Sequence, residues 1–283
     1  MSLKDILIHL DADPRSAVRL EAAAGLAARH GAFLTGVFVI DIPSTDYFYG
    51  AGFPMAGLGP DQLIDTLTAE ARAAAEPVEA QFREVLRKAN LQGEWRLVEG
   101  HTHAVLSTEA RYADVVVVGQ PDDPRRSDTR GRLIVETVLM TSGRPVLVVP
   151  FAGKVEPVTD HVLVAWNASR EATRAVHDAM PLLRTAKQIT ILSINPRAPI
   201  DEDEAPHTDL ATHLGRHGVR SDTSHTVAED IPDGEALLSY ASDIGATMIV
   251  AGGYGHSRAR ELVFGGVTRT LLAEMTVPVF FSH

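Results

Sequence analysis

The 283-residue sequence has no cysteine, which excludes disulfides, thiolate metal centres, iron–sulfur clusters and thiol nucleophiles. Long hydrophobic runs are missing too. The longest apolar stretches are strand-length, as in Val115–Val118, too short to span a membrane. The N-terminus enters a strand pattern at Lys4 and leaves no room for a signal peptide, so a cytoplasmic location is expected. There is no basic excess. The formal charge is −11, with 15 basic against 20 acidic residues up to residue 152 and 11 against 17 beyond it. Neither half is a nucleic-acid platform. Catalytic signatures are equally absent: no nucleophile elbow, no Walker Lys-Ser/Thr, no His-Glu-x-x-His, no dinucleotide Gly-x-Gly-x-x-Gly. What remains is 45% hydrophobic and 22% charged, an ordinary soluble composition, long enough for two domains of roughly 150 residues.

The chain repeats itself. Lys4–Asp11 and Asp160–Asn167 both read as a short buried strand, ending in Asp11 and Asn167. Each is followed by an Ala-rich amphipathic pattern, over 15–30 and 169–185, and then by a second strand, over 32–40 and 188–194. Later, Asp114–Gly119 precedes Arg144-Pro145-Val146, as Thr247–Gly252 precedes Val277-Pro278-Val279. Gly119 to Pro145 is 26 positions, and so is Gly252 to Pro278. One unit has been duplicated.

Apolar strands separated by helical patterns imply parallel βαβ units with a sheet covered on both faces. Five strands are expected per half, near 4–10, 32–40, 94–99, 113–119 and 145–149, then 160–166, 188–194, 222–228, 246–252 and 277–281. The expected fold is α/β, two tandem Rossmann-like α/β/α sandwiches, each with a five-stranded parallel sheet. The predicted domains are 1–152 and 153–283, joined through the polar segment 151–159. Residues 43–60 and 195–206 read as loops, the second carrying the acidic run Asp201–Glu204, a solvated connection. A helical stretch over 61–90 should be interrupted or kinked at Pro77 unless that residue starts a new turn.

The chemistry concentrates after the fourth strand of the second half, at Gly252-Gly253-Tyr254-Gly255-His256-Ser257. Nine residues separate Gly255 from Gly265, and Gly266, Val267 and Thr268 open a helical pattern. Glycines at a strand exit let backbone approach a ligand closely. The following helix start offers free amides and a positive end to an anion. A Thr hydroxyl in the first turn can cap the helix or donate to a phosphate. His256 and Ser257, inside the loop, are placed to touch a ligand.

This pattern, Gly252-x-x-Gly255-x9-Gly265, resembles the ATP-binding motif of the universal stress proteins, and the resemblance runs over essentially the whole chain as a tandem pair. It implies an adenine nucleotide, ATP or AMP, in the second half, with Mg2+ as a candidate companion. Asn167 stands where the family places an Asp near the base, Ala165 and Ile194 line the base and ribose, and Gly252, Gly253, Gly255, His256, Ser257, Gly265, Gly266, Val267 and Thr268 surround the phosphates. The Ser/Thr that follows the distal glycine in the family is Gly266 here, with Thr268 at a second hydroxyl position. The resemblance further implies a stress-response role. It also implies pairing of the last strands, within the chain as an intramolecular pseudo-dimer, with a further homodimer and an unknown protein partner open. No catalytic residues are assigned; slow ATP hydrolysis is the most this family reading allows. A scaffold or interaction protein of the same fold, without a nucleotide, is the rival reading.

The first half is an internal control. A shift of 133 maps Gly255 to Asp122, Gly265 to Arg132 and Gly266 to Leu133. Two carboxylates, Asp122 and Asp123, would face a phosphate, so the first half is not expected to bind ATP in the family manner. Arg125, Arg126, Arg130 and Arg132 read either as a basic surface or, the stronger reading, as solvated partners of Asp122, Asp123 and Asp128. Among the twelve histidines, the pairs His101/His103 and His213/His217, with His207 nearby, supply two ligands each, short of a structural metal site.

Overall fold

Short Val/Ile-rich strands alternate with helices whose apolar faces fall on one side, and in the computed structural model they stack into three layers. The structure describes residues 2–42, 59–121, 130–151, 159–195, 206–254 and 266–283. The first half runs β1 (Asp5–Leu10), α1 (Ser16–His30), β2 (Phe33–Ile40), α2 (Pro60–Ala89), β3 (Gly93–Glu99), α3 (Thr102–Glu109), β4 (Val115–Gly119), α4 (Arg130–Thr141) and β5 (Val146–Val149). The second runs β6 (His161–Ala165), α5 (Arg170–Leu183), β7 (Gln188–Ile194), α6 (Pro206–Arg216), β8 (Asp222–Thr226), α7 (Asp233–Asp243), β9 (Met248–Gly252), α8 (Gly266–Glu274) and β10 (Val279–Ser282).

All ten strands form one sheet in the order β3-β2-β1-β4-β5-β10-β9-β6-β7-β8. Within each half every pairing is parallel, as the βαβ pattern requires. The halves meet where β10 runs antiparallel to β5, with Val279 opposite Val148, Phe280 opposite Leu147 and Phe281 opposite Val146. Each of these strands would otherwise be an open edge of its own five-stranded sheet. The β4 residues Val115–Val118 and the β9 residues Ile249 and Val250 are fully buried because helices cover both sheet faces. One face carries α1, α2, α5 and α6; the other carries α3, α4, α7 and α8. Both apolar layers run without a break from one half into the other, through Leu147 and Phe280 on the first face and Val146 and Phe281 on the second.

Pro77 does not interrupt its helix. The helix α2 continues from Pro60 to Ala89, with Pro77 inside it. The ring removes one backbone bond, but Pro77 and Ala73, whose carbonyl loses its partner, both lie on the exposed face, where water replaces it. Residues 43–58 of the predicted loop 43–60, the acidic run 201–204 and most of the segment 151–159 lie outside the described residues, and Pro60 already belongs to α2.

Candidate functional site

In each half the strand order reads 3-2-1-4-5, so the chain reverses its winding between the first and fourth strands. Open α/β sheets take ligands at this reversal, beyond the carboxyl ends of the strands. A cleft stands there in both halves. Their positions superpose by register: Ile6 and Ile8 pair with Val115 and Val117 as Val162 and Val164 pair with Met248 and Val250. Asp11 accepts from the Asp13 amide at 3.1 Å, as Asn167 does from the Ser169 amide at the same distance.

The second-half cleft, about 180 Å³, is floored by Ala165 from β6 and Asn167 just beyond it, Leu192 and Ile194 from β7, and Ala251 and Gly252 from β9. The first turn of α8, with Gly266, Val267 and Thr268, closes one side; Asp233 and Leu237 of α7 close another. Seven of the residues predicted from the sequence therefore converge. Gly252 is there for space: a Cβ would stand 2.5 Å from the Ala172 backbone nitrogen and 2.6 Å from the Glu171 carbonyl carbon, so only glycine lets β9 meet the start of α5. Thr268 is buried, and its hydroxyl accepts from the Tyr254 amide at 3.3 Å, tying the helix start to the strand exit while leaving its own proton to donate.

Gly253 is placed differently. Its amide donates to the Ser282 carbonyl at 2.8 Å, and a Cβ there would press within 2.7 Å of Leu139 in the first half, so it packs across the junction and does not line the cleft. Tyr254 follows it towards the first half, where burial first and the Glu136 carboxylate second push its phenol upward. Gly255, His256, Ser257 and Gly265 lie outside the described residues.

The structure adds residues that pattern reading passed over. Ser169 caps α5 by accepting from the Ala172 amide at 3.1 Å, and Trp166, Glu171 and Asp233 join the walls. Asp233 is held by Asn195, whose amide donates to it at 2.8 Å and to the Ala228 carbonyl at 3.1 Å, clamping the ends of β7 and β8 together. A signal was present: Asp233 and Glu235 are acidic residues in a first helical turn, and Ser169 is a good N-cap.

Residues 159–283 match the model described as the universal stress protein family. Over those residues, less than half of the chain, the sequence is similar to that family. The whole chain is similar in fold to a universal stress protein from Archaeoglobus fulgidus DSM 4304, at 18% identity, covering 98% of this chain and 97% of that one, with a TM-score of 0.73. It is likewise similar to a functionally unknown protein from Pseudomonas aeruginosa PAO1, at 12% identity, covering 99% and 92% of the two chains, with a TM-score of 0.62. No curated protein matches.

The histidines form pairs and stacks among the described residues. His101 stacks on His103 at 5.9 Å between ring centres and meets Asp41 at 3.3 Å. His213 lies 5.4 Å from His177 and 4.8 Å from His217, ring centre to ring centre. Among the described residues no group of three or more His, Asp or Glu is placed to hold a metal ion. No helix among them is long and apolar enough to cross a membrane.

Proposed function

We propose that the chain is a universal stress protein that holds an adenine nucleotide, ATP or AMP, in the second-half cleft and acts as a nucleotide-responsive regulator in the stress response. The observation that supports it most is the convergence of an apolar strand end, a glycine-only strand exit and a helix start with a buried hydroxyl at one topological switch point. In this reading Ala165, Leu192 and Ile194 pack on the base and ribose. The Asn167 carbonyl is spent on its own turn, so its amide NH2 is what faces a base acceptor. The α8 amides and the Thr268 hydroxyl receive phosphate oxygens, with Gly255, His256, Ser257 and Gly265 supplying the intervening loop. Glu171 and Asp233 are the carboxylates of the cleft. They fit a hydrated Mg2+ carried in on the phosphates, which would offset the negative charge there.

The antiparallel β5–β10 pairing makes the two halves an intramolecular pseudo-dimer in this reading, and a signal reaches a partner protein through unequal affinity of the nucleotide for two conformations. A cytoplasmic location belongs to the same proposal. One observation favours the rival scaffold reading: the Glu171 carboxylate, 3.2 Å from the Arg170 guanidinium, stands at the start of α5 and repels an unaccompanied phosphate. Titration of the purified chain with ATP, ADP and AMP, followed by the fluorescence of the cleft-lining Trp166, separates the two. Saturable binding supports the nucleotide reading; no binding of any of the three leaves the scaffold.

A further inference from the structure

The first-half cleft is not an empty copy of the second. It is larger, about 620 Å³, and its walls carry different charges. The common register, with Asp11 at the place of Asn167, sets Arg15 where the second half has Glu171 and Arg19 where it has Ala175. The burial patterns of the helices agree: Leu20, Ala23, Leu26 and Ala27 occupy the places of Val176, Ala179, Leu182 and Leu183.

Arg19 is 6% exposed, yet it lines the cleft. Its Nη2 donates to Asp11 at 2.9 Å and to the Ser16 hydroxyl at 2.7 Å. Its Nε is buried without a partner. Its Nη1 makes no hydrogen bond among the described residues and lies over Gly119, where any side chain would collide with the guanidinium. Gly119, at the exit of β4, thus clears room for an arginine where Gly252, at the exit of β9, clears room for helix backbone. A buried guanidinium with donors to spare is costly unless something accepts from it. Gly131, in the first turn of α4, lines the same cleft and aims a helix start at it.

We infer that the first-half cleft is a second ligand site, for an oxyanion, a phosphate or carboxylate group bound through Arg19 with the α4 start and Arg15 on its rim. This site is independent of the second-half nucleotide reading and uses a guanidinium in place of a glycine loop. Planar, two-pronged donation to such groups is what arginine does best.

Inorganic phosphate and acetate are the probes. Each is titrated against the full chain while thermal unfolding is followed, since an anion that binds only the folded state raises the midpoint. At least one is expected to stabilise the wild type saturably, the two arms telling phosphate from carboxylate. Arg19→Gln is expected to weaken that response about tenfold or more, the value of a charge-assisted bond. Gly131→Glu, which sets a carboxylate in the cleft, is expected to do the same, and so tests the site even where Arg19→Gln folds poorly. No response to either anion, or a response kept unchanged in Arg19→Gln and Gly131→Glu, overturns the proposal.

Discussion

Arg19 donates to Asp11 across 2.9 Å, and His9 lies 3.9 Å from the same carboxylate oxygen. His9 and Arg19 are buried and Asp11 is half-buried beside them, so their charges are linked. Burial pushes Asp11 upward, but Arg19, His9 and the Ser16 hydroxyl together hold it below the usual carboxylate range. Burial first, and Arg19 second, push His9 down to about 4.

A pH dependence of stability follows from His9. The folded protein keeps this imidazole neutral, while the unfolded chain binds a proton below pH 6.5. Stability should therefore be intact above pH 6.5 and fall by about 3 kcal/mol as pH drops from there towards 4. Urea unfolding at steps between pH 7.5 and 4.5 should show this slope in the wild type and a shallower one in His9→Gln. Equal slopes in the two would remove His9 as its source.

Gly252 and Gly266 should respond oppositely to a side chain. At Gly252 a Cβ meets backbone at 2.5 Å, so Gly252→Ala is expected to cost about 1–3 kcal/mol and weaken nucleotide binding. At Gly266 nothing lies within 4 Å of the added carbon. Gly266→Ser should fold normally and, by restoring the hydroxyl that the family motif carries at that place, tighten ATP binding about tenfold. Denaturation and titration of both variants check this; tighter binding by Gly252→Ala, or no gain from Gly266→Ser, counts against the assignment of the phosphate end.

Phe280 is fully buried in β10 opposite Leu147 of β5, at the seam of the halves. Phe280→Ala should cost about 3–5 kcal/mol. Because both apolar layers cross that seam, unfolding should stay a single transition in wild type and variant alike when read by fluorescence and by circular dichroism. Two separated transitions in the wild type would mean that the halves fold on their own.

The repeat was legible because its spacing is arithmetic: Gly119 to Pro145 and Gly252 to Pro278 mark the same strand-helix-strand unit, and the central strands fell where apolar runs placed them. The universal stress protein resemblance located the second-half cleft through Asn167, Ile194 and Thr268. Gly253 was harder to place, since its role as a contact for Leu139 depends on the other half. Glu171 and Asp233 escaped notice because a carboxylate near a helix start usually faces water, and only the sheet order brings these two to one cleft. Arg19 was hidden for the same reason: a charged residue within an Ala-rich helix reads as surface, and its burial appears only once Gly119 is seen to make room for it. Pro77 misled because the rule against proline in helices assumes a carbonyl that water cannot reach.

The central claim, an adenine nucleotide in the second half, is tested most directly by calorimetric titration of the full chain with ATP. Saturable binding with one nucleotide per chain, lost in Ile194→Arg and kept in Arg19→Gln, is the predicted result. Absence of saturable heat, or binding indifferent to Ile194→Arg, contradicts it.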